Sequence, residues 1–305
     1  MPKFSIILPC HNAEDTLHET ITSVLAQSHG DWELVCINDG SSDWTASILE
    51  GWATQDARVR VLTLSGRGPA VARNMGCAHA RGDILCFLDA DDIWDCEKLT
   101  QLARVFEDDA IDGVFAQVAF FAETGVAFTH STVRKGALTI PMLMGENPVC
   151  TMSNFALRRT QFLKCGGFAQ GFVHNEDLEW LIRLVGHGAR IEGLPIVQVW
   201  YRTSAAGLSA DLAAMATSRR QALKTARNFG FTPSAQSEAI YLRYLARRAL
   251  RLNHTGLIAL KFAAAGLWKS PVAFLFPLHR GALTALAALS APLMPDAMRR
   301  ALFAR

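Results

Sequence analysis

The chain has 305 residues, half of them hydrophobic, enough for one large core or one core with a smaller appended unit, and this composition excludes a disordered or fibrous protein. Its net charge of +2 hides an asymmetry: residues 1–210 carry 16 Lys/Arg against 25 Asp/Glu, whereas residues 211–305 carry 14 against 3. Seven cysteines without a CxxC pair read as buried thiols of a reducing compartment, and Met1-Pro2-Lys3 leads straight into a strand without the apolar core of a leader, so a cytoplasmic location is expected.

The first hundred residues alternate β-rich runs with helical stretches, which predicts a mostly parallel sheet with helices on both faces. Strands are predicted at Phe4 to Leu8, Trp32 to Ile37, Val59 to Leu64 and Ile84 to Leu88, and helices at Glu14 to Ala26, Thr45 to Ala53, Pro69 to Ala80 and Cys96 to Phe106. Pro69 suits a first helical turn, and Gly82-Asp83 marks the return to a strand. Beyond Gly113 the alternation weakens to a strand at Val114 to Phe121, a loop at Gly145 to Thr151 and a helix at Leu178 to Gly186. After Ala210 the pattern is helical throughout, with Arg243, Arg247 and Arg251 in a stripe opposite Ile240, Tyr244 and Leu252. Two domains are therefore expected, an α/β catalytic domain over 1–210 and a basic helical region over 211–305.

In open α/β sheets ligands bind beyond the carboxyl ends of the strands. Each such loop here is polar: Pro9-Cys10-His11-Asn12, then Asn38-Asp39-Gly40-Ser41-Ser42-Asp43, then Asp89-Ala90-Asp91-Asp92. Three carboxylates after a fully apolar strand repel one another unless a cation or hydrogen-bond donors answer them. Mg²⁺ or Mn²⁺ would do so, taking one or two carboxylates and completing its shell with phosphate oxygens and water. The other reading is a solvated turn that caps the next helix through Asp92 or Asp95.

Taken in order with Gly68-Pro69-Ala70-Val71-Ala72-Arg73-Asn74-Met75-Gly76, Gly166-Gly167-Phe168, Asn175-Glu176-Asp177-Leu178-Glu179-Trp180 and Tyr201-Arg202, these loops resemble the family 2 glycosyltransferases of the GT-A fold. The resemblance covers about two thirds of the chain and implies an inverting, metal-dependent transferase, of hexosyltransferase class, that uses a nucleotide sugar. By similarity His11 takes the place of an aromatic that stacks on the donor base, with Pro9, Asn12, Gly40 and Ser41 around the nucleotide. Asp39 would accept from a uracil N–H, which makes UDP the expected nucleotide. Asp89 would hold the ribose and share the metal with Asp91, the principal ligand. Arg73 would support the diphosphate or brace the Asp89 loop, and Arg67 is a further candidate. Asp177 would be the catalytic base, with Glu176, His174 and Arg202 contacting acceptor or supporting the site.

An inverting transfer needs one base to take the acceptor hydroxyl's proton, while a metal steadies the departing diphosphate, so no second acid is needed. Without the upstream motifs, Asp177 beside Glu176 would read as ordinary acidic residues in a first helical turn. Ser204 stands where many relatives have a histidine, which removes one expected ligand to the metal or diphosphate. A nucleotidyltransferase would carry a Gly- and Arg-rich loop after the first strand, and a dehydrogenase would carry Gly66-Arg67-Gly68 in the first βα turn; neither fits. An inactive nucleotide-sugar-binding scaffold would show loss of Asp91 or Asp177, and both are present.

The resemblance further implies a saccharide or lipid-linked acceptor in surface or extracellular polysaccharide assembly. The basic tail interleaves its cations with apolar runs such as Val272 to Leu278, which suits a membrane or protein contact better than nucleic acid. Its charge-free windows fall short of the ~20 residues a spanning helix needs, so peripheral contact with anionic lipid on the cytoplasmic face of the inner membrane is expected.

Overall fold

The fully apolar stretch Ile6-Ile7-Leu8 forms the centre of strand β1 (Phe4–Cys10), in which only Pro9 is not fully buried, as suits a parallel strand covered on both faces. The computed structural model describes residues 3–122, 126–133, 136–171, 174–203, 211–252 and 256–303. They form two compact units, Met1–Leu138 with Pro148–Thr203, and Thr139–Asn147 with Ser204–Arg305. Residues 139–147 thus pack with the helical unit, although they fall within the span that the charge asymmetry gives to the first domain.

The first unit contains β1, α1 (Leu17–Leu25), β2 (Trp32–Asp39), α2 (Thr45–Gln55), β3 (Val59–Leu64), α3 (Pro69–His79), β4 (Ile84–Phe87), β5 (Ile93–Trp94), α4 (Lys98–Val105), β6 (Gly113–Phe121) and β7 (Ala127–His130). After α5 (Ile140–Gly145) of the second unit it resumes with a 3-10 turn at Met152–Asn154, β8 (Phe155–Arg158), α6 (Arg159–Cys165), α7 (Glu176–Gly186) and β9 (Ile191–Arg202). The strand order is β3-β2-β1-β4-β8-β6-β9-β5, with β7 on the outside of β6. The first four strands are parallel, while β8 runs antiparallel to both β4 and β6. The sheet is therefore mixed beyond β4. Gly76 lets α3 lie close on the sheet, since a Cβ there would fall 2.6 Å from Ile7 Cγ2.

The second unit comprises α5, α8 (Leu212–Asn228), α9 (Ala235–Arg251), α10 (Gly256–Lys269), α11 (Pro271–Leu275), α12 (Leu278–Ser290) and α13 (Asp296–Phe303). Its core is rich in small residues, Ala239, Ala246, Ala249, Ala259, Ala263 and Ala288, which pack with Leu212, Leu245 and Leu250 around the fully buried ring of Phe274. Of the arginine stripe, Arg243 is buried while Arg247 and Arg251 are partly exposed. Arg243 donates to the carbonyls of Ala273 (3.1 Å), Phe274 (3.2 Å) and Phe276. It caps carbonyls that the break after α11 leaves without helical partners. The thiols also differ from expectation, because Cys96 and Cys150 are exposed while the other five are buried. Among the described residues, no helix is long and apolar enough to cross a membrane.

Candidate active site

The pairing of β1 with β2 sets Cys10 beside Asn38, and that of β1 with β4 sets Ile7 beside Phe87, so the loops after these strands emerge at one edge. Asn12 turns the first loop with a left-handed φ of 48°, which asparagine tolerates. Its backbone N–H donates to Ser41 Oγ (3.1 Å) and its Oδ1 accepts from the Ser42 N–H (2.8 Å), which ties the first two loops together. Gly40, at φ 70°, has no room for a side chain, because a Cβ would lie 2.7 Å from Gly66 N.

Asp39 closes this half of the site. Its buried carboxylate accepts the Arg67 N–H on Oδ1 (2.7 Å) and the Gly68 N–H on Oδ2 (2.6 Å). Arg67 therefore meets Asp39 through its backbone, with its side chain exposed. His11 Nδ1 donates to the Asp39 carbonyl at 2.8 Å, which sets the imidazole tautomer and fixes the ring on the lip of the loop. Pro9, His11, Asn12, Thr16, Ala90 and Asp91 line a cleft of about 230 Å³.

The acidic loop is held by hydroxyl groups. Thr16 and Thr20 of the first βα segment donate to the Ala90 carbonyl at 2.8 and 3.0 Å. Ser153 Oγ accepts the Asp89 N–H (2.9 Å) and donates to Asp92 Oδ2 (2.5 Å), while the Arg202 N–H donates to Asp92 Oδ1 (3.0 Å). Asp92 is fully buried, and burial together with Asp91 and Asp89 holds its carboxyl well above the usual range. It is no helix cap, because β5 intervenes between it and α4 and pairs with β9. Arg202 donates through Nε to the Asp91 carbonyl (3.0 Å), is ion-paired with Glu19, and lies 4.7 Å above the Phe121 ring. Ser204 lies outside the described residues.

The two remaining carboxylates of the loop differ in their partners. Asp89 accepts from Arg73 on Oδ1 (2.7 Å) and from Thr151 Oγ1 on Oδ2 (3.2 Å). No side chain among the described residues donates to Asp91, and burial, reinforced by Asp89, pushes its carboxyl up to about 6. A partly desolvated carboxylate with no side-chain donor among the described residues, on the wall of a cleft, could hold a hard divalent cation that takes its other oxygens from a diphosphate and water. Among the described residues, no group of three His, Cys, Asp or Glu is placed to hold a metal ion by itself.

Arg73 joins this loop to the start of α7. Its buried guanidinium donates to Asp89 Oδ1 (2.7 Å) and to Glu176 Oε1 (2.9 Å), and although burial pulls its pKa down, the two carboxylates outweigh burial and keep it charged. Asn74, the next residue of α3, brackets Phe168 by accepting its N–H (2.8 Å) and donating to its carbonyl (2.8 Å). A Cβ on Gly167 would sit 2.2 Å from Asn74 Oδ1, which explains the second glycine of the Gly166-Gly167-Phe168 turn. Arg183 of α7 donates to the Gly167 carbonyl (2.7 Å), and the Phe168 ring lies 4.2 Å from that of Trp180.

Asp177 follows Glu176 in the first turn of α7, after Asn175 at a left-handed φ of 55°. Burial, then the charge of Glu176, raises its carboxyl to about 7. His174 is partly buried just before this turn. The structure thus gathers His11, Asn12, Ser41, Asp39 and Asp91 at one loop cluster and joins Asp89 to Glu176 and the base candidate through Arg73. The residues not anticipated are Thr151, Ser153, Thr16, Thr20 and Asn74. For Thr151 and Ser153 the signal was the polar run Thr151-Met152-Ser153-Asn154 between apolar neighbours, whose 3-10 turn folds under Asp89.

Residues 5–166 match the profile of Glycosyl transferase family 2. A UDP-Glc:alpha-D-GlcNAc-diphosphoundecaprenol beta-1,3-glucosyltransferase of Escherichia coli, WfgD, is 30% identical over 210 residues, covering 68% of this chain and 79% of that protein. An uncharacterized glycosyltransferase of Haemophilus influenzae is 44% identical over 100 residues, 32% of this chain and 40% of its own. The matches to the first three curated relatives span only 50%, 40% and 33% of their lengths. The same fold is seen in S. aureus TarS 1–349 in complex with UDP-GlcNAc, with a TM-score of 0.64 at 19% identity over 99% of this chain and 93% of that one.

Proposed function

This chain belongs to glycosyltransferase family 2, and from that premise we propose that it moves a sugar, with inversion, from a UDP-sugar to a saccharide or lipid-linked acceptor at the cytoplasmic face of a membrane that it does not span. The acceptor class follows the diphosphoundecaprenol-linked substrate in the name of its E. coli relative. The observation that carries the mechanism is the Arg73 bridge, because it fastens the donor-side loop at Asp89 and the helix bearing Asp177 to one buried cation.

His11 and the Asn12–Ser41 link form the platform for the base, and the second lone pairs of the Asp39 oxygens accept from a uracil N–H. Asp91 would hold Mg²⁺ or Mn²⁺, with Asp89 beside it on the ribose side. When bound, the metal supplies positive charge to the leaving diphosphate. Asp177, half-ionised near pH 7, takes the acceptor hydroxyl's proton as the oxygen attacks, and a base poised near the working pH is the most effective kind. Glu176 keeps Arg73 in place, and Arg202 holds the Asp91 carbonyl through its side chain and the Asp92 carboxylate through its backbone N–H. His174, two residues before Glu176, would contact the acceptor.

The test is release of nucleoside diphosphate from a panel of UDP-, GDP- and dTDP-sugars, with Mn²⁺ or with EDTA. Metal-dependent release from at least one UDP-sugar is expected. Release only from GDP- or dTDP-sugars would overturn the nucleotide assignment, and EDTA-insensitive release would overturn the metal.

A further inference from the structure

Helices α10 and α12 bury mainly small residues and leave several large ones exposed, although Ile258, Phe262 and Leu267 of α10 pack partly against the core. On α12 the buried positions are Gly281, Thr284 and Ala288. Leu283, Leu286 and Leu289 are 63%, 63% and 59% exposed on the other side, followed by Leu293 at 88%. On α10, Gly256, Ala259, Ala263 and Gly266 are buried, while Leu257 and Trp268 stand in solvent with Lys261 and Lys269. The inward glycines are required, because a Cβ on Gly266 would lie 2.4 Å from the Phe274 ring and one on Gly281 would lie 2.2 Å from the Phe274 carbonyl. At these close approaches there is no room for a large side chain, and the leucines of α12 lie on its opposite, outer side. A leucine repeat at three-residue spacing on one side of a helix is an unpartnered apolar face, larger in reach than scattered surface leucines.

Charge decides what covers it. Residues 256–303 carry five Lys/Arg and one acid, Asp296, and that acid is ion-paired with Arg299. Glu146 of the same unit is likewise taken, 3.6 Å from Arg280. A second copy of this face would bring like charges together, whereas an anionic lipid surface would accept the leucines and the tryptophan among its acyl chains and the lysines among its headgroups.

We infer that the outward face of α12, with Trp268 and the lysines of α10, is a docking surface for an anionic lipid bilayer, on which the helices lie flat. The inference deepens the membrane reading of the proposed function but is independent of the catalytic residues.

The experiment is co-sedimentation of the full chain with vesicles of phosphatidylcholine alone or mixed equally with phosphatidylglycerol, alongside release of UDP from a UDP-sugar without lipid. Binding to the mixed vesicles, weakened by salt, is expected. The combined Leu283→Ser, Leu286→Ser and Leu289→Ser variant should reduce the bound fraction by about tenfold or more while keeping its melting temperature and its lipid-free UDP release. A wild-type chain that stays off both vesicles, or a triple variant that binds as well as wild type, would overturn the inference. So would a wild-type dimer that the triple variant converts to monomer without any vesicle binding, since the occupant would then be a second copy. Vesicle binding lost in the triple variant, with no UDP release from either protein, would support this face and count against the proposed activity alone.

Discussion

The α/β unit buries Asp92 and Arg73 and partly buries Asp89, Asp91 and Asp177, while the helical unit turns alanine and glycine inward and leaves Leu283, Leu286, Leu289 and Leu293 in solvent. Each arrangement reverses ordinary globular construction, in which charge stays outside and large aliphatic groups stay inside. The first unit tolerates the reversal by supplying donors, Ser153 and Arg202 to Asp92 and Arg73 to Asp89, but no side chain among the described residues donates to Asp91. The second tolerates it because close helix approach through small residues replaces large-residue packing. Among the described residues, Asp91 in one unit and the leucines of α12 in the other are left without such compensation, and these are the two places to which the proposals above assign a cation and a lipid surface.

Four substitutions sharpen or break this contrast. The largest effect is expected of Asp177→Asn, which should lower turnover by about 10²–10⁴ while UDP binding is retained; turnover like wild type would remove Asp177 from the chemistry. Next, Asp91→Ala should weaken Mn²⁺-dependent UDP binding by about 10–100-fold in calorimetry, a magnitude known for disturbed metal sites, and unchanged affinity would reject the cation. In the helical unit, Gly266→Ala forces a methyl against the Phe274 ring and should cost about 1–3 kcal/mol in chemical denaturation. By contrast, Leu286→Ser should change stability by no more than about 0.5 kcal/mol. If the leucine proved the costlier of the two, the inside-out description would be wrong.

A smaller effect tests the buried carboxyls through pH. Asp91, Asp92 and Asp177 have folded pKa values above their ordinary ones, so the folded state binds more protons than the unfolded state between about pH 4 and pH 7. Stability from these groups therefore falls as pH rises through that window, and it is lowest once all three are ionised. Asp177→Asn should remove its share and raise the melting temperature at pH 8 by about 2–4 °C. A lower melting temperature in that variant would mean that the carboxylate is stabilised, not strained, in the fold.

The strands up to Phe87 and the loops after them were legible because their runs are mostly apolar and β-branched and end in Gly, Asn, Asp and Pro. Strand β9 was not, since Glu192, Gly193, Pro195 and Gln198 break any alternation and its place beside β6 is decided by tertiary pairing. The short helix α5 was hidden for a similar reason, its six residues packing with a unit that begins sixty residues later. The site's acids could be named from their loops, but which of them has a partner could not. That depends on Thr151 and Ser153 arriving under the loop from a turn far along the chain. The role of Arg243 was not legible either, because a helical arginine stripe has the same spacing whether it faces water or caps buried carbonyls.

The most direct test of the account is the pH dependence of kcat/KM for UDP-sugar turnover with saturating Mn²⁺. The account predicts a rise through an acid limb near pH 7, set by Asp177, that is absent from the residual turnover of Asp177→Asn. A wild-type profile flat from pH 5 to 8, or the same limb persisting in the variant, would contradict it.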